Sequence, residues 1–289
     1  MGKGIFAFVI AFAFVAVAVP TDAVLVPHTL DTPGTNKILM LPEQAGNSPV
    51  VSLGTAVDPA SGKLVEGFAI IHPKKGYHHR PGHGGGPGGP GNGEAGSSCF
   101  AYLSNGAKWK TVEDWVVNFA NNSGLSADFV LDTLTSSVVQ WEDAADGVVN
   151  GAQGADILGN GELTDVELVA DTSSPDGVNE VYFADISNSG AIAVTIVWGI
   201  FSGPPFAREL VEWDMVFDDV DFEWTEDALI EPSEMDFWNI AIHELGHAKG
   251  MGHPDDSCTE ETMFRFATEG ETKKRDLHSG DIAGINGLY

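Results

Sequence analysis

Apolar residues in the second half of the chain fall into short runs at strand spacing and a longer stretch at helical spacing. Strands are predicted at residues 114–119, 166–170, 179–183, 191–198 and 210–217. Between the first two runs, one apolar stripe follows the helical spacing i, i+3, i+7, i+10: Leu131, Leu134, Val138 and Trp141. Ser126 precedes this stripe as an N-cap, so we predict a helix whose stripe faces the core.

A second helix is predicted further on, where the apolar positions are denser. Its surface is broadly apolar, formed by Phe237, Trp238, Ile240, Ala241 and Leu245. A helix that is apolar over most of its surface is buried. The stretch from Pro232 to Asp236 resembles a capping box, in which Ser233 and Asp236 would accept hydrogen bonds from free amides. Gly250 then ends the helix, because glycine adopts the left-handed conformation easily.

The chain divides by composition into four predicted segments. Residues 1–23 have a short basic start and an apolar run at 5–19, which fits a signal peptide; an uncleaved anchor is the alternative, although a membrane span needs about 20 residues. Residues 24–71 alternate apolar and polar stretches and form a possible strand-rich pro-segment. Residues 72–96 form a Gly/Pro/His-rich linker. Residues 97–289 suit a single domain.

The linker carries three of the chain's 14 Lys and Arg residues, namely Lys74, Lys75 and Arg80. It is either an exposed activation-cleavage segment or a plain tether, and the composition does not separate the two. Its histidines could bind metal weakly, as histidine-rich tracts often do, and we assign no site to them: His72, His78, His79 and His83.

The chain is strongly acidic, with 42 Asp and Glu residues and a formal net charge of −28. Nucleic acids and anionic membranes require a basic face, so neither is expected as a partner. The charge fits a salt-rich exterior, bound calcium, or both.

Two acidic stretches are candidates for calcium. Residues 156–167 place oxygen ligands at several EF-hand positions, but Leu158 stands where another ligand belongs, so this match is weak. The second stretch lies just before Trp224, and a solvated acidic loop is the alternative for it: Asp218, Asp219, Asp221 and Glu223.

Residues 243–253 read His243-Glu244-Leu-Gly-His247-Ala-Lys-Gly250-Met-Gly-His253. On a helix, His243 and His247 project from one face and can share one Zn²⁺. Glu244 lies one position off this pair, close enough to act as a general base on a water held by the metal. The turn at Gly250 brings back His253 as a third ligand. Three protein ligands leave one position open, as in catalytic zinc sites.

Two other interpretations of this motif stay open. The histidines could be incidental core or surface residues of a helix, although the complete spacing makes this a minor alternative. The zinc could instead be structural or stored. Glu244 speaks against that second interpretation, because a storage site gains nothing from a carboxylate that does not bind the metal.

The motif resembles the signature of the metzincin metallopeptidases, and most closely that of their matrixin branch in its microbial form. The similarity extends over residues 100–289 and is most specific in the last fifty. Met263 follows His253 by ten residues, as the basal-turn methionine of that family does. Residues 281–289 resemble the closing helix, and residues 176–183 and 212–217 resemble sheet strands.

The resemblance implies an α+β, zincin-like metzincin domain. Its sheet would be mixed, mostly parallel and five-stranded, with an active-site helix and a C-terminal helix. His243, His247 and His253 would bind one catalytic zinc, Glu244 would be the acid/base, and Met263 would form the basal turn. Substrate would lie extended along an edge strand beside the zinc.

This chain also departs from the family pattern. Arg265 stands where astacins and serralysins carry a tyrosine, so no tyrosine switch is expected. Phe264, Arg265 and Phe266 replace the Pro and Tyr that often follow the methionine in matrixins, and the primed-side pocket is therefore not predicted. Val216 stands where a ligand of a second, structural zinc could be, so we expect one zinc.

The chain has two cysteines, Cys99 and Cys258. An even count in a secreted chain favours a disulfide. The alternative is a zymogen in which Cys99 ligates the zinc, as the matrixin pro-peptide thiol does, but its neighbours do not match that pro-peptide motif. With a disulfide, inhibition by a pro-segment would have to be steric or absent.

Together these features predict a secreted, monomeric zinc endopeptidase that acts on protein or peptide substrates and has no membrane attachment once the signal is removed. The competing hypothesis is a non-catalytic, acidic surface protein with structural zinc and calcium-binding loops. An exchangeable water on the metal separates the two, since a structural site has no open position. The sequence does not identify the substrate.

Overall fold

A computed structural model describes residues 37–42, 48–76, 99–147, 155–226 and 230–289. All of them belong to one compact unit that spans residues 32–289. The predicted signal peptide at 1–23 and residues 77–96 of the predicted linker lie outside the described residues. Within the described ranges, none of the helices combines the length and the apolar character that crossing a membrane requires.

The described ranges contain twelve strands and three α-helices. The strands are β1 (Ile38–Leu39), β2 (Val50–Val57), β3 (Leu64–Pro73), β4 (Ala101–Tyr102), β5 (Glu113–Val117), β6 (Leu158–Leu163), β7 (Asn179–Ile186), β8 (Ala191–Ile200), β9 (Glu209–Asp218), β10 (Trp224–Thr225), β11 (Met235–Asp236) and β12 (Met251–Gly252). The helices are α1 (Ala127–Asp146), α2 (Phe237–Ala248) and α3 (Ser279–Leu288), and 3₁₀ turns lie at Pro205–Ala207 and Lys273–Arg275.

The main sheet has the order β2-β3-β8-β9-β7-β5-β6, and β1 pairs with the end of β7. Strands β5, β6, β7 and β9 are mutually parallel, whereas β8 runs antiparallel to β9. These five strands, with α2 and α3, confirm the predicted α+β architecture with a mixed sheet. The predicted strand number was too low, because the sheet also includes β1, β2 and β3.

The additional strands come from residues that precede position 97. Strand β3 pairs antiparallel with β8 and with β2, so the sheet continues across the predicted boundary between the pro-segment and the last domain. His72 and Pro73, assigned to the linker by composition, belong to β3. Whether this segment is removed as a pro-segment stays a prediction.

Two buried clusters lie on opposite faces of the sheet. The first includes the three helices and one sheet face, with Phe183 and Met215 among its members. The second covers the other face, where Val194 and Trp198 of β8 pack with Val65 and Ala69 of β3. Burial on both faces explains why β8 is a nearly continuous apolar run, whereas acidic residues interrupt the apolar runs of β7 and β9.

Helix α1 begins where the sequence predicts. Ser126 is its N-cap, and the Ser126 hydroxyl accepts a hydrogen bond from the Phe129 amide at 3.3 Å. The stripe faces the core: Leu134, Val138 and Trp141 are buried and Leu131 is partly buried. Trp141 also donates a hydrogen bond from Nε1 to the Ile242 carbonyl at 2.8 Å, which fixes α1 against α2.

The strand predicted at 166–170 was wrong, since the structure has no strand there and instead places β6 at Leu158–Leu163. Gly161 explains the error, because a Cβ on it would collide with the Trp115 ring. A strand that passes close to a tryptophan needs glycine there, and glycine hides the apolar alternation. The same strand removes the EF-hand interpretation of 156–167, which required a loop.

The capping box predicted for α2 was also wrong. The N-cap is Asp236, whose carboxylate accepts a hydrogen bond from the Trp238 amide at 3.0 Å. Ser233 lies in a turn ahead of the helix, and β11 intervenes because Met235–Asp236 pairs with β10. The capping residues predicted the region in which the helix begins. The pairing of β11 with β10 places the actual start several residues later.

Cys99 and Cys258 form a disulfide, which confirms the favoured interpretation. The bond ties the start of the predicted domain to the loop between His253 and Met263. Both thiols are consumed, so the alternative in which Cys99 ligates zinc does not hold in this structure.

Candidate metal centre

Helix α2 brings together the histidines that the motif singles out. His243 and His247 lie one turn apart on it, and His253 approaches both from the segment that follows. The Nε2 atom of His253 lies 3.2 Å from Nε2 of His243 and 3.0 Å from Nε2 of His247. The three side chains therefore converge on one point and could hold a metal ion.

Hydrogen bonds on the far side of two rings fix their orientation. His243 Nδ1 donates to the Thr262 carbonyl at 2.6 Å, and His247 Nδ1 donates to the Met251 carbonyl at 2.9 Å. With the protons on Nδ1, both rings direct an Nε2 lone pair toward His253. Metal-binding histidines typically donate the N–H of their other ring nitrogen to a carbonyl or carboxylate in this way.

The electrostatic environment keeps these imidazoles neutral. Burial lowers the pKa of His247 to about 4, with the Lys274 ammonium adding to the effect. Burial and neighbouring basic groups lower the pKa of His243 and of His253 well below the usual range. Three neutral imidazoles whose Nε2 atoms face one another suit a soft or borderline divalent cation. The residues therefore fit zinc.

The turn after α2 is as predicted. The helix ends at Ala248, and Gly250 has a φ of 97°, in the left-handed region that favours glycine. A Cβ at Gly250 would also collide with the Ala107 carbonyl oxygen. The chain then forms β12, which pairs with β4 and leads to His253.

Met263 lies beneath the histidines, as the resemblance implies. It is fully buried, and a Cβ at Gly246 would collide with its Sδ atom. Gly246 lies between the two helical histidines in sequence, so it lets the methionine approach the helix closely. Thr262, whose carbonyl holds His243, immediately precedes Met263.

The sequence did not identify Asp281 as a support for this turn. One Asp281 oxygen accepts from the Thr262 amide at 2.7 Å, and the other accepts from the Met263 amide at 3.1 Å. Glu261 in turn accepts from the amides of Gly280 and Asp281, at 2.9 Å and 3.1 Å. The start of α3 and the turn thus hold each other in place.

Glu244 is fully buried beside the histidines, and both of its oxygens have partners. Thr195 Oγ1 donates to Glu244 Oε2 at 2.6 Å, and His72 Nδ1 lies 2.9 Å from Glu244 Oε1. Burial raises the pKa of Glu244 to about 8, while the Thr195 hydrogen bond and the Lys274 ammonium oppose that rise. A carboxyl with such a pKa can both hold and release a proton near neutral pH.

Three residues of this site were missed by sequence reasoning: His72, Thr195 and Lys274. His72 and Thr195 come from β3 and β8, and the Lys274 amide is held by the side-chain oxygen of Asn239 on α2 at 2.7 Å. Lys274 Nζ lies 3.0 Å from His72 Nε2. Burial lowers the pKa of Lys274 to about 7. The one available signal was the apolar run Phe68–Ile71, which marks a strand that ends at His72.

The residues after Met263 that depart from the family pattern have structural partners. Arg265 forms an ion pair with Asp256 and lies over the Phe266 ring. Phe264 is buried, and its carbonyl accepts a hydrogen bond from Lys274 Nζ. Val216 is fully buried in the sheet. The single-zinc expectation stays a prediction.

In the acidic cluster before Trp224, Asp218 binds backbone amides. Asp218 accepts hydrogen bonds from the amides of Ile186, Val220 and Asp221, at 3.1, 2.9 and 2.8 Å. A carboxylate group that sequence reasoning did not single out lies elsewhere, where ligand atoms of Asp171, Asp176 and Glu212 come within 4.8 Å of one another. Calcium binding stays a prediction.

Comparison with known proteins supports the resemblance over the C-terminal part of the chain. Residues 202–289 match the family described as Matrixin. Metalloendoproteinase 2-MMP of Arabidopsis thaliana is 34% identical over 76 residues, which are 25% of this chain and 19% of that protein. Metalloendoproteinase 5-MMP of the same plant is 38% identical over 55 residues, which are 19% of this chain and 14% of that protein.

The chain thus aligns with less than a fifth of the length of these relatives. Within that limit the comparison supports the recognition made from the motif: residues 202–289 are similar to the matrixin family. The assignment to a microbial branch stays a prediction.

Proposed function

We propose that this matrixin-like metzincin is a secreted endopeptidase that uses one zinc ion. The observation that carries the proposal is the convergence of three imidazoles on one point, with the Glu244 carboxyl on the helix that also carries His243 and His247. A purely structural site would have no use for a buried carboxyl adjoining the ligands.

In this proposal His243, His247 and His253 bind the metal through Nε2. Zinc held there would supply Lewis acidity toward a peptide carbonyl and toward water. Glu244 accepts a proton from the attacking water and delivers it to the leaving amine. Thr195 positions the Glu244 carboxyl through its hydrogen bond, and Met263 supports the helix from below.

Secretion, a monomeric state and the absence of nucleic-acid and membrane partners belong to the same proposal. They rest on the apolar run at 5–19 and on the net charge of −28. The alternative is a non-catalytic acidic surface protein with structural zinc and calcium-binding loops. The acidic composition is common to both, so metal chemistry must decide between them.

The test compares the zinc-loaded chain with Glu244→Gln and with the control Glu260→Gln, an exposed carboxyl on the loop after His253. Zinc content is measured by mass spectrometry, and cleavage of a mixed peptide library is followed in parallel. We expect all three proteins to bind one zinc. Glu244→Gln should lose at least about 10²-fold in cleavage rate, because proton transfer typically contributes 10²–10⁴-fold.

The structural-zinc alternative predicts a different result. Cobalt substitution then shows a metal with four protein ligands, no exchangeable water is detected, and no variant cuts the library. Zinc binding that survives His243→Ala at full affinity would contradict the ligand assignment itself.

A further inference from the structure

The backbone that follows β3 runs through a slot between the start of β8 and the chain after Met263. The Lys74 amide donates a hydrogen bond to the Gly190 carbonyl at 2.9 Å, and the Lys75 amide donates to the Ala267 carbonyl at 2.8 Å. Lys74 also forms a parallel bridge with Ala267. The slot thus pairs with extended chain through backbone groups, so it suits a peptide of any sequence that adds as a strand.

The register places this slot close to the proposed catalytic carboxyl. His72 Nδ1 lies 2.9 Å from Glu244 Oε1, and Lys74 follows His72 by two residues. A substrate strand that takes the backbone path of residues 72–75 therefore presents one residue to Glu244. It directs the residue two positions later to the place of the Lys74 side chain.

The Lys74 side chain shows which groups surround this place. Its ammonium forms an ion pair with the Glu269 carboxylate and lies 5.8 Å from the centroid of the Phe222 ring. Glu269 belongs to the chain after the methionine turn and Phe222 to the loop after β9, so two separate segments meet at one ammonium. A carboxylate and the face of an aromatic ring both attract a cation.

The pocket formed by Glu269 and Phe222 is partly shielded from solvent. Phe222 is 7% exposed and belongs to the core cluster that includes the helices, and the Glu269 side chain is 23% exposed. The side chain of the next residue in the slot, Lys75, is exposed instead. Two adjacent lysines thus differ in environment, and only Lys74 has its ammonium in the pocket.

The residues around Phe222 carry charge of the same sign as Glu269. Asp221 and Glu223 flank the ring in sequence and are exposed, and both belong to the acidic stretch before Trp224. In a chain with a net charge of −28, this part of the slot attracts a basic side chain and repels an acidic one.

We propose that Glu269 and Phe222 form a subsite for a cationic side chain, and that the substrates are peptides with Lys or Arg two residues after the residue that meets Glu244. The substrate preference rests on the proposed function, since it needs a peptidase, whereas the affinity of the pocket for a cation does not. The competing explanation is a surface ion pair that only anchors residues 74–75, and such pairs contribute little.

Amide hydrogen exchange of the full chain tests the pocket without any assay of activity. The Lys75 amide, which is bonded to Ala267, reports how often the slot opens. Lys74→Met and Glu269→Gln should each lower its protection factor about two- to fivefold, because each removes one partner of the same contact. The double variant should lower it little further. Phe222→Leu keeps an apolar side chain without the ring face and should act in the same direction.

Two substitutions serve as controls for the exchange experiment. Lys74→Arg retains a cation and should keep the wild-type protection factor. Lys75→Met changes the exposed neighbour and should have no effect. A loss of protection in Lys75→Met as large as that in Lys74→Met would contradict a pocket that holds one particular ammonium.

Cleavage of a mixed peptide library by the zinc-loaded full chain tests the substrate preference. The cut peptides should share Lys or Arg at one fixed distance from the cut bond. Two peptides that differ only by Lys against norleucine at that position should differ at least about threefold in kcat/KM. Glu269→Gln should remove this preference and Glu269→Lys should reverse it toward Glu, whereas Glu260→Gln, an exposed change on the loop after His253, should keep it.

The outcomes separate this inference from the proposed function. A protection factor that Glu269→Gln leaves unchanged overturns the pocket. Cut sites without a basic preference, or with one that Glu269→Gln leaves intact, overturn the subsite while the peptidase stands. No cleavage by any variant contradicts the peptidase and with it the substrate preference, while exchange alone still decides whether the pocket binds a cation.

Discussion

At the scale of single residues, the metal centre depends on side chains that never touch the metal. Gly246 and Met263 illustrate this dependence, because the helix can rest on the methionine only where it has no Cβ. Trp141 closes the same contact from α1, and its Nε1 hydrogen bond holds the Ile242 carbonyl of α2. The position of His243 and His247 is therefore set from below by packing.

Gly246→Ala should lower the free energy of unfolding by about 2 kcal/mol, although alanine is the better helix former, because the added methyl collides with Met263 Sδ and the Trp141 ring. Zinc affinity should fall in parallel. Thermal unfolding and zinc titration measure both effects. Gly287→Ala is the control, because a Cβ there meets only the far end of Tyr102. An equal loss in the two variants would contradict this account.

A second residue-scale prediction concerns Asp281. Asp281→Asn keeps the shape but can accept at only one of the two atoms that now bind the amides of Thr262 and Met263. The expected loss of stability is about 1–3 kcal/mol, since one buried amide is left without an acceptor. Denaturant unfolding checks this value. Asp276→Asn, an exposed change nearby, should be neutral, and a neutral Asp281→Asn would show that the turn does not need this support.

At the scale of elements, the sequence predicts correctly those helices and strands that are determined by nearby residues, such as an N-cap or a run of apolar side chains. Helix α1 follows from Ser126 and its stripe, and β7, β8 and β9 follow from apolar runs that are buried on both faces. The histidine motif predicted the metal centre because its spacing determines the geometry: residues four apart share a face of a helix, and the glycine turn brings the third histidine back to them. The start of α2 was misplaced because a strand pair between β10 and β11 decides it.

The role of β3 could not be predicted in the same way. Its apolar run shows a strand, but its partner β8 lies more than a hundred residues away, and pairing over such a distance leaves no local trace. His72 consequently looked like one histidine of a basic, glycine-rich linker. Lys274 lacked a signal for a similar reason, since only the folded turn at Lys273–Arg275 brings it under His243.

At the scale of the whole molecule, the acidic excess is partly concentrated inside the fold. Glu180 lies near the start of β7, and Glu212 and Asp214 lie toward the middle of β9, close to Asp171. Burial raises the pKa of Glu180 to about 7 and that of Asp214 well above its usual range, and the neighbouring carboxyls add to both effects. Like charges held this close in a buried place oppose folding whenever they are ionised.

Glu212 illustrates how these buried carboxyls make the free energy of unfolding depend on pH. Burial, with contributions from Asp171 and Asp176, raises its pKa from 4.5 to about 9. Because the folded protein binds this proton more tightly than the unfolded chain, the stabilising contribution is complete below about pH 4.5 and is lost as the pH rises through about 9. The free energy of unfolding should therefore decline between pH 5 and pH 9.

Glu212→Gln removes the ionisation and should reduce that decline by at least about 1 kcal/mol, since each unit of pKa shift corresponds to about 1.4 kcal/mol. Denaturant unfolding at several pH values between 5 and 9 measures the slope. Glu162→Gln, an exposed carboxyl on β6, should leave it unchanged. Parallel slopes for Glu212→Gln and the wild type would mean that Glu212 is ionised throughout this range. The interior cluster would then not be a source of alkaline instability, and the net charge of −28 would act only at the surface.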